Sequence, residues 1–228
     1  MVSQKEVIPV RIKFSKTGDL MYISHLDLAR TMQRIMLRAG IDIWYSEGFN
    51  PQPKIVFAFP LSIGIESECE LMDIRINSPM SHEEIKERLS QSFPADMKVL
   101  DVYTPEIKLK NIAYIDYTVS LSSHLISEKT GKEIEELFKK ECKIIKKSKN
   151  GDREVDVTQG VKLVEAEGEA GSVKIHAILC ADNDRYLNPE LFIEAIKEKL
   201  GILTLGGVDE HYSIMRNKML GQDLKEFR

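Results

Sequence analysis

Apolar positions along the chain switch between a two-residue and a 3.6-residue repeat in a regular order. Residues 7–14 (VIPVRIKF) alternate and predict a strand. Residues 24–39 predict a helix: Ser24 is placed to cap it, Asp27 follows three positions on, and Gly40 is a natural stop. A short strand is expected at 41–45, a Gly/Pro-punctuated loop at 46–54, and strands at 55–63 and 71–76. Ser81 then caps a second helix, HEEIKERLSQSF, and 97–103 closes as a strand. Residues 104–112 (TPEIKLKNI) have no clear period and read as a linker.

After the linker the order returns. A strand is expected at 114–121 and a helix at 131–142. Short strands around Ile144 and 155–157 flank an Asn150-Gly151 hairpin signal. An apolar strand follows at 172–181, then a helix opened by Asn188-Pro189 and stopped by Gly201, and a last strand at 212–219. Each half thus reads strand–helix–strand–strand–helix–strand, the ferredoxin-like order. The expected fold is α+β: two tandem ferredoxin-like (βαββαβ) units with antiparallel sheets and helices on one face. The expected bounds are 1–105, carrying the SHLD helix and the SEGFNPQPK loop, and 113–228. One larger mixed sheet shared by both halves is the alternative.

Composition narrows the class. With 43% of its 228 residues hydrophobic, the chain can bury one large core or two small ones. Its first residues, MVSQKEV, hold no apolar signal core, and no run approaches the length of a membrane helix, so a cytoplasmic protein with no membrane role is expected. The net charge of −4 argues against general coating of nucleic acid and leaves room only for a local basic patch. Cys69, Cys142 and Cys180 have no metal-ligand spacing, so neither metal nor cofactor is expected.

Candidate chemistry concentrates in residues 22–54. On the first helix Leu28, Met32, Ile35 and Met36 share one face, and Arg30, Arg34 and Arg38 share roughly the opposite one. Three guanidinium groups in a row suit phosphates or carboxylates, although such a stripe also serves as a plain solvated face. Ser24, His25 and Asp27 sit at the helix start, where His25 and Asp27 would form an acid/base pair or, more simply, a capped first turn. In the loop, Gly48 and two prolines favour one preformed shape. Ser46, Phe49, Asn50, Gln52 and Lys54 supply a stacking ring, edge-reading amides and a phosphate contact. In the second half, six lysines between Lys139 and Lys149 surround the hairpin, offset by Asp152, Glu154 and Asp156.

The stretches YISHLDLARTMQRIMLRAGI and SEGFNPQPKIVFAFPLSIGIESECELMDI resemble the bacterial radical-SAM-associated proteins, a domain of unknown function. Gln52 stands where the family loop has His, which removes an imidazole from that position. The resemblance implies an accessory protein encoded beside, or fused to, a radical-SAM enzyme that carries the iron–sulfur cluster itself.

Three functions are therefore expected in turn. The first is an accessory protein that binds RNA or another anionic substrate, with Ser24, Arg30, Arg34, Arg38, Ser46, Phe49, Asn50, Gln52 and Lys54 at its site. The second is an RNA-modifying or RNA-cleaving enzyme using His25 and Asp27. The third is a structural partner whose arginine face docks on the radical-SAM enzyme. All of them assume that the loop ending at Lys54 folds back beside Ser24–Asp27 to make one pocket.

Overall fold

The computed structural model describes residues 7–146, 151–182, 185–204 and 209–228. The chain forms two compact units, one running to Lys110 and taking in Arg228, the other spanning Asn111–Phe227. Both are mixed α+β.

The first unit is built from β1 (Ile8–Lys16), α1 (His25–Arg38), β2 (Ile55–Phe57), β3 (Ile65–Ile76), α2 (His82–Ser92) and β4 (Met97–Tyr103). Its strands lie in the order β4-β1-β3-β2, every neighbouring pair antiparallel. Alternation decides the faces. Val10, Ile12 and Phe14 of β1 and Met72, Ile74 and Ile76 of β3 share one buried cluster with Met32, Ile35 and Met36 of α1 and Ile85 and Leu89 of α2. Both helices therefore cover the same face. The opposite parity, with Arg11 facing Asp73 and Pro9 facing Arg75 across the β1–β3 ladder, points to the other side.

Helix starts and stops follow local chemistry. Ser24 accepts a hydrogen bond from the Asp27 N–H and Ser81 one from the Glu84 N–H, and Gly40 takes a left-handed conformation at φ 65° after α1. Arg88 Nη1 reaches back from α2 to the carbonyls of Ala39 and Gly40, satisfying the end of α1.

Three strand expectations are corrected here. Residues 41–45 form no strand; only isolated bridges join Ile43 to Ile76 and Tyr45 to Pro53. The strand expected over 55–63 stops at Phe57, because Pro60 lacks the N–H a ladder needs and the chain turns through Gly64, at φ 88°, into β3. β3 in turn begins at Ile65, well before the expected residue 71.

The second unit comprises β5 (Tyr114–Ser122), α3 (Thr130–Leu137), β6 (Lys143–Lys146), β7 (Arg153–Asp156), β8 (Val161–Glu169), β9 (Ser172–Cys180), α4 (Pro189–Leu200) and β10 (His211–Leu220). Its main sheet runs β10-β5-β9-β8, again antiparallel throughout. Among the described residues β6 and β7 pair only with each other, antiparallel, between α3 and β8 in the sequence; the expected Asn150 turn position and Lys147 and Lys149 lie outside the described residues. The strand at 161–169 was not expected from the sequence, and α3 ends at Leu137 instead of running to residue 142. α3 meets β8 at its backbone: a Cβ on Gly131 would lie 2.7 Å from the Ala166 carbonyl oxygen. α3 and α4 are joined by Phe138 stacked on Phe192, ring centroids 4.5 Å apart.

Among the described residues no helix is long and apolar enough to cross a membrane.

Candidate functional site

The candidate site residues fall into four separate places on the first unit. At the start of α1, the Ser24 hydroxyl donates to Asp27 Oδ2 at 2.7 Å while the Asp27 N–H donates back to Ser24 at 3.1 Å. Asp27 also stands 3.5 Å from Arg30. The carboxylate is thereby occupied by the cap and the next turn. Among the described residues no hydrogen bond joins it to His25, whose ring instead packs edge-on against Phe57 at 5.1 Å. The geometry needed for Asp27 to orient a catalytic imidazole is not formed.

The loop 46–54 closes on itself. The Ser46 N–H donates to the Gln52 carbonyl at 2.9 Å, the Gln52 N–H donates to the Ser46 hydroxyl at 3.0 Å, and the Lys54 N–H donates to the Trp44 carbonyl at 3.0 Å. The Gln52 amide donates to the Asn50 side chain at 3.2 Å. Ser46 and Gln52 are thus the neck of the loop. Phe49, at its tip, buries nothing: its relative exposure is 109%. The expectation of a preformed loop holds at the neck, whereas Phe49 plugs no core.

The third place is on the far side of the sheet. Ile55 and Phe57 pack into the helix-covered core, so the alternating positions Lys54 and Val56 turn to the opposite face. There Lys54 joins Arg11, Asp73 and Arg75 around a cleft of about 480 Å³, walled on one side by residues 105–110. That volume lies within the range of small-ligand sites. The single pocket expected from Ser24–Asp27 and Lys54 is therefore corrected: α1 covers one face of the sheet, and Lys54 serves the other.

The cleft is organised by a residue that sequence reading passed over. Arg11 is fully buried and grips Asp73 with both arms, Nε to Oδ1 at 2.6 Å and Nη2 to Oδ2 at 2.9 Å, while Nη2 also donates to the Ile107 carbonyl at 2.8 Å. Burial alone would depress the Arg11 pKa, but the hydrogen bond and charge of Asp73 outweigh it and hold the guanidinium above its ordinary value. With Arg11 neutralised by Asp73, the remaining cations of the cleft are Lys54, Arg75, Lys108 and Lys110, against the single carboxylate of Glu106. Arg75 lies over the Trp44 ring at 5.7 Å. On the same face, Arg228 donates to Asp101 at 2.7 Å and lies 5.2 Å from the centre of the Tyr103 ring.

The three α1 arginines remain on the helix side. Arg38 donates to the Ser92 carbonyl at 2.9 Å, and Arg34 makes no hydrogen bond or ion pair among the described residues. In the second unit, the lysines near the β6–β7 pair are met by neighbouring carboxylates: Lys139 by Glu136 at 2.6 Å and Lys143 by Glu141 at 2.8 Å. The polar cluster there that the sequence did not suggest is His176, with Nε2 3.1 Å from Asp116 and Nδ1 3.4 Å from Glu165. Burial works against protonation of His176; hydrogen bonding and charge from Asp116, then Glu165, win and raise its pKa.

The family model described as an uncharacterised protein conserved in bacteria, DUF2344, matches residues 10–189. No curated protein matches the chain. Among solved structures it is similar to a chain in the crystal structure of a Cbf5-Nop10-Gar1 complex, with 11% identity, a TM-score of 0.47, and coverage of 92% of this chain and 48% of that one. It is similar also to an unknown protein from Galdieria sulphuraria, with 7% identity, a TM-score of 0.26, and coverage of 92% and 99%. The chain thus spans about half the length of the Cbf5-Nop10-Gar1 chain it matches.

Proposed function

The chain belongs to the bacterial family DUF2344, and we propose that it is a non-catalytic module that binds single-stranded RNA for a radical-SAM enzyme. The observation that carries this reading is the cleft on the helix-free face of the first unit, where Lys54, Arg75, Lys108 and Lys110 face one carboxylate, Glu106. The open part of this face, around Lys54, Val56 and Arg75, offers a strand of RNA phosphate contacts beside the sheet. The strand orders β4-β1-β3-β2 and β10-β5-β9-β8 support reading both units as ferredoxin-like, the second interrupted by the β6–β7 pair. The radical-SAM partner rests on the resemblance carried by residues 22–41 and 46–74, and the cytoplasm is the compartment that such a role requires.

Four cations contacting phosphates of a single strand give a slope of about −3 in log affinity against log salt, so binding falls roughly 50-fold between 50 and 200 mM salt. Fluorescence anisotropy with labelled oligouridine measures this directly. Lys54→Ala combined with Arg75→Ala is expected to weaken binding by at least about tenfold and to flatten the slope by about 1.4, two contacts at 0.7 each. Equal affinity and equal slope in wild type and double variant would remove the cleft as the binding surface.

A further inference from the structure

The outer face of α1 combines charge with exposed apolar surface. Arg30, Arg34 and Arg38 recur every fourth residue, and Leu37 lies beside them with a relative exposure of 80%. None of the three guanidinium groups is held by a close carboxylate: Arg30 has only its loose 3.5 Å contact with Asp27, Arg38 donates to a main-chain carbonyl, and Arg34 has no pair among the described residues. Arg88 and Arg185, by contrast, are each matched by a close carboxylate, Glu84 at 2.6 Å and Asp182 at 2.7 Å. In a chain of net charge −4, this stripe is a local excess of positive charge.

Beside the stripe a groove of about 240 Å³ opens between Gln33 and Leu37 of α1 and the segment 40–45. Tyr45, 51% exposed, lines it, and its floor is the buried Ile41 and Ile43. The groove is held open by local geometry: Gly40 turns the chain sharply at φ 65°, and the Asn77 amide fixes the turn by donating to Asp42 at 3.0 Å and to the Ile43 carbonyl at 3.2 Å.

We infer that this face is a docking site for an acidic amphipathic helix of another protein. An apolar side chain of the partner fills the groove against Leu37 and Tyr45, and its carboxylates, one turn apart, meet Arg30 and Arg34. The match is one of repeat as well as sign: residues four apart on any α-helix are separated by about 6 Å along the axis, so two helices lying side by side keep both ladders in register. Arginine presents a planar fork that takes a carboxylate with two bonds. RNA fits this face less well, because the side chain beside the arginines, Leu37, is aliphatic and the groove between it and Tyr45 asks for an apolar knob. The site lies on the helix-covered side of the first unit, the cleft on the other, so this inference does not depend on the RNA reading.

The test uses the full-length protein and a synthetic helix of about five turns, with leucines along one face and glutamates flanking them. A control peptide has the same composition scrambled around the helix. NMR titration is expected to show amide shifts confined to the outer face of α1 and to residues 40–45, and the scrambled peptide is expected to bind at least about tenfold more weakly. Leu37→Glu and Arg34→Glu should each weaken the amphipathic peptide by about tenfold or more while leaving the thermal melt unchanged, since both side chains are exposed. Oligouridine binding should be unchanged in these variants, and peptide binding unchanged in Lys54→Ala/Arg75→Ala. Equal binding of the two peptides, indifference to both α1 variants, or displacement of the peptide by oligouridine would overturn the proposal. Loss of RNA binding alone would overturn only the reading of the cleft.

Discussion

Asp73→Ala is the sharpest probe of how the cleft is built. Arg11 is fully buried and Asp73 is 26% exposed, so removing the carboxylate leaves a buried guanidinium without the charge that neutralises it. Breaking a buried pair by deleting one partner costs about 3–5 kcal/mol. The bond from Nη2 to the Ile107 carbonyl survives, and the partial exposure of Asp73 lets water enter the vacated space. Those two facts place the expected loss at about 2–3 kcal/mol. The pair as a whole is worth much less than its rupture, because both charges had to be desolvated to make it. Arg11→Met with Asp73→Leu is therefore expected to fall within about 1 kcal/mol of wild type. Urea unfolding followed by fluorescence isolates the effect, since Trp44 is the one tryptophan in the chain and lies in the first unit. With an m-value of about 2 kcal/mol/M, the single variant should lower the midpoint by about 1–1.5 M. A single variant that unfolds at the wild-type midpoint, or a double variant that unfolds earlier than the single, would refute the account of Arg11 as a buried charge held in place by its partner.

The pairing of His176 predicts a pH dependence. Its folded pKa lies above the unfolded value, so its contribution is fully present below the ordinary imidazole range near 6.5 and is lost as pH rises through the folded pKa. The half-exposed ring limits this to about 1 kcal/mol or less; His176→Gln should flatten the stability profile on the alkaline side of that range, and an unchanged profile would show that Asp116 and Glu165 do not hold it. Gly131→Ala sets two effects against each other. Helix propensity alone favours alanine by about 1 kcal/mol, whereas the new methyl would sit 2.7 Å from the Ala166 carbonyl and force α3 away from β8. Net destabilisation of about 1–3 kcal/mol is expected by urea unfolding, and a stabilised variant would mean that the α3–β8 approach yields at little cost.

The helices were legible because their signals are local. Ser24, Gly40, Ser81, Asn188 and Gly201 cap or stop helices where the sequence places them. β8 was missed because Glu165, Glu167, Gly168 and Glu169 dilute its alternation, as suits a strand paired on one side within its sheet. Residues 41–45 carry strand-forming side chains, yet their backbone bonds go to turns and single bridges. The cleft was the least legible part. The parity of VIPVRIKF and LMDIRI puts Arg11, Asp73 and Arg75 on polar positions, which is a readable sign. That Arg11 stands opposite Asp73, however, is a fact of register between strands 62 residues apart, and Lys54 joins them only because β2 is entered with the matching parity.

The loop between Trp44 and Lys54 has one more consequence. Its bonds run from neck to neck, through Ser46, Gln52 and the main chain of Trp44 and Lys54, and the side chain at its summit leans on nothing. Apart from Gly48, whose backbone sits at φ 125°, the summit can thus be rewritten while the neck stays intact, with little penalty to folding. Across related chains, such an interchangeable cassette would let recognition diversify faster than architecture.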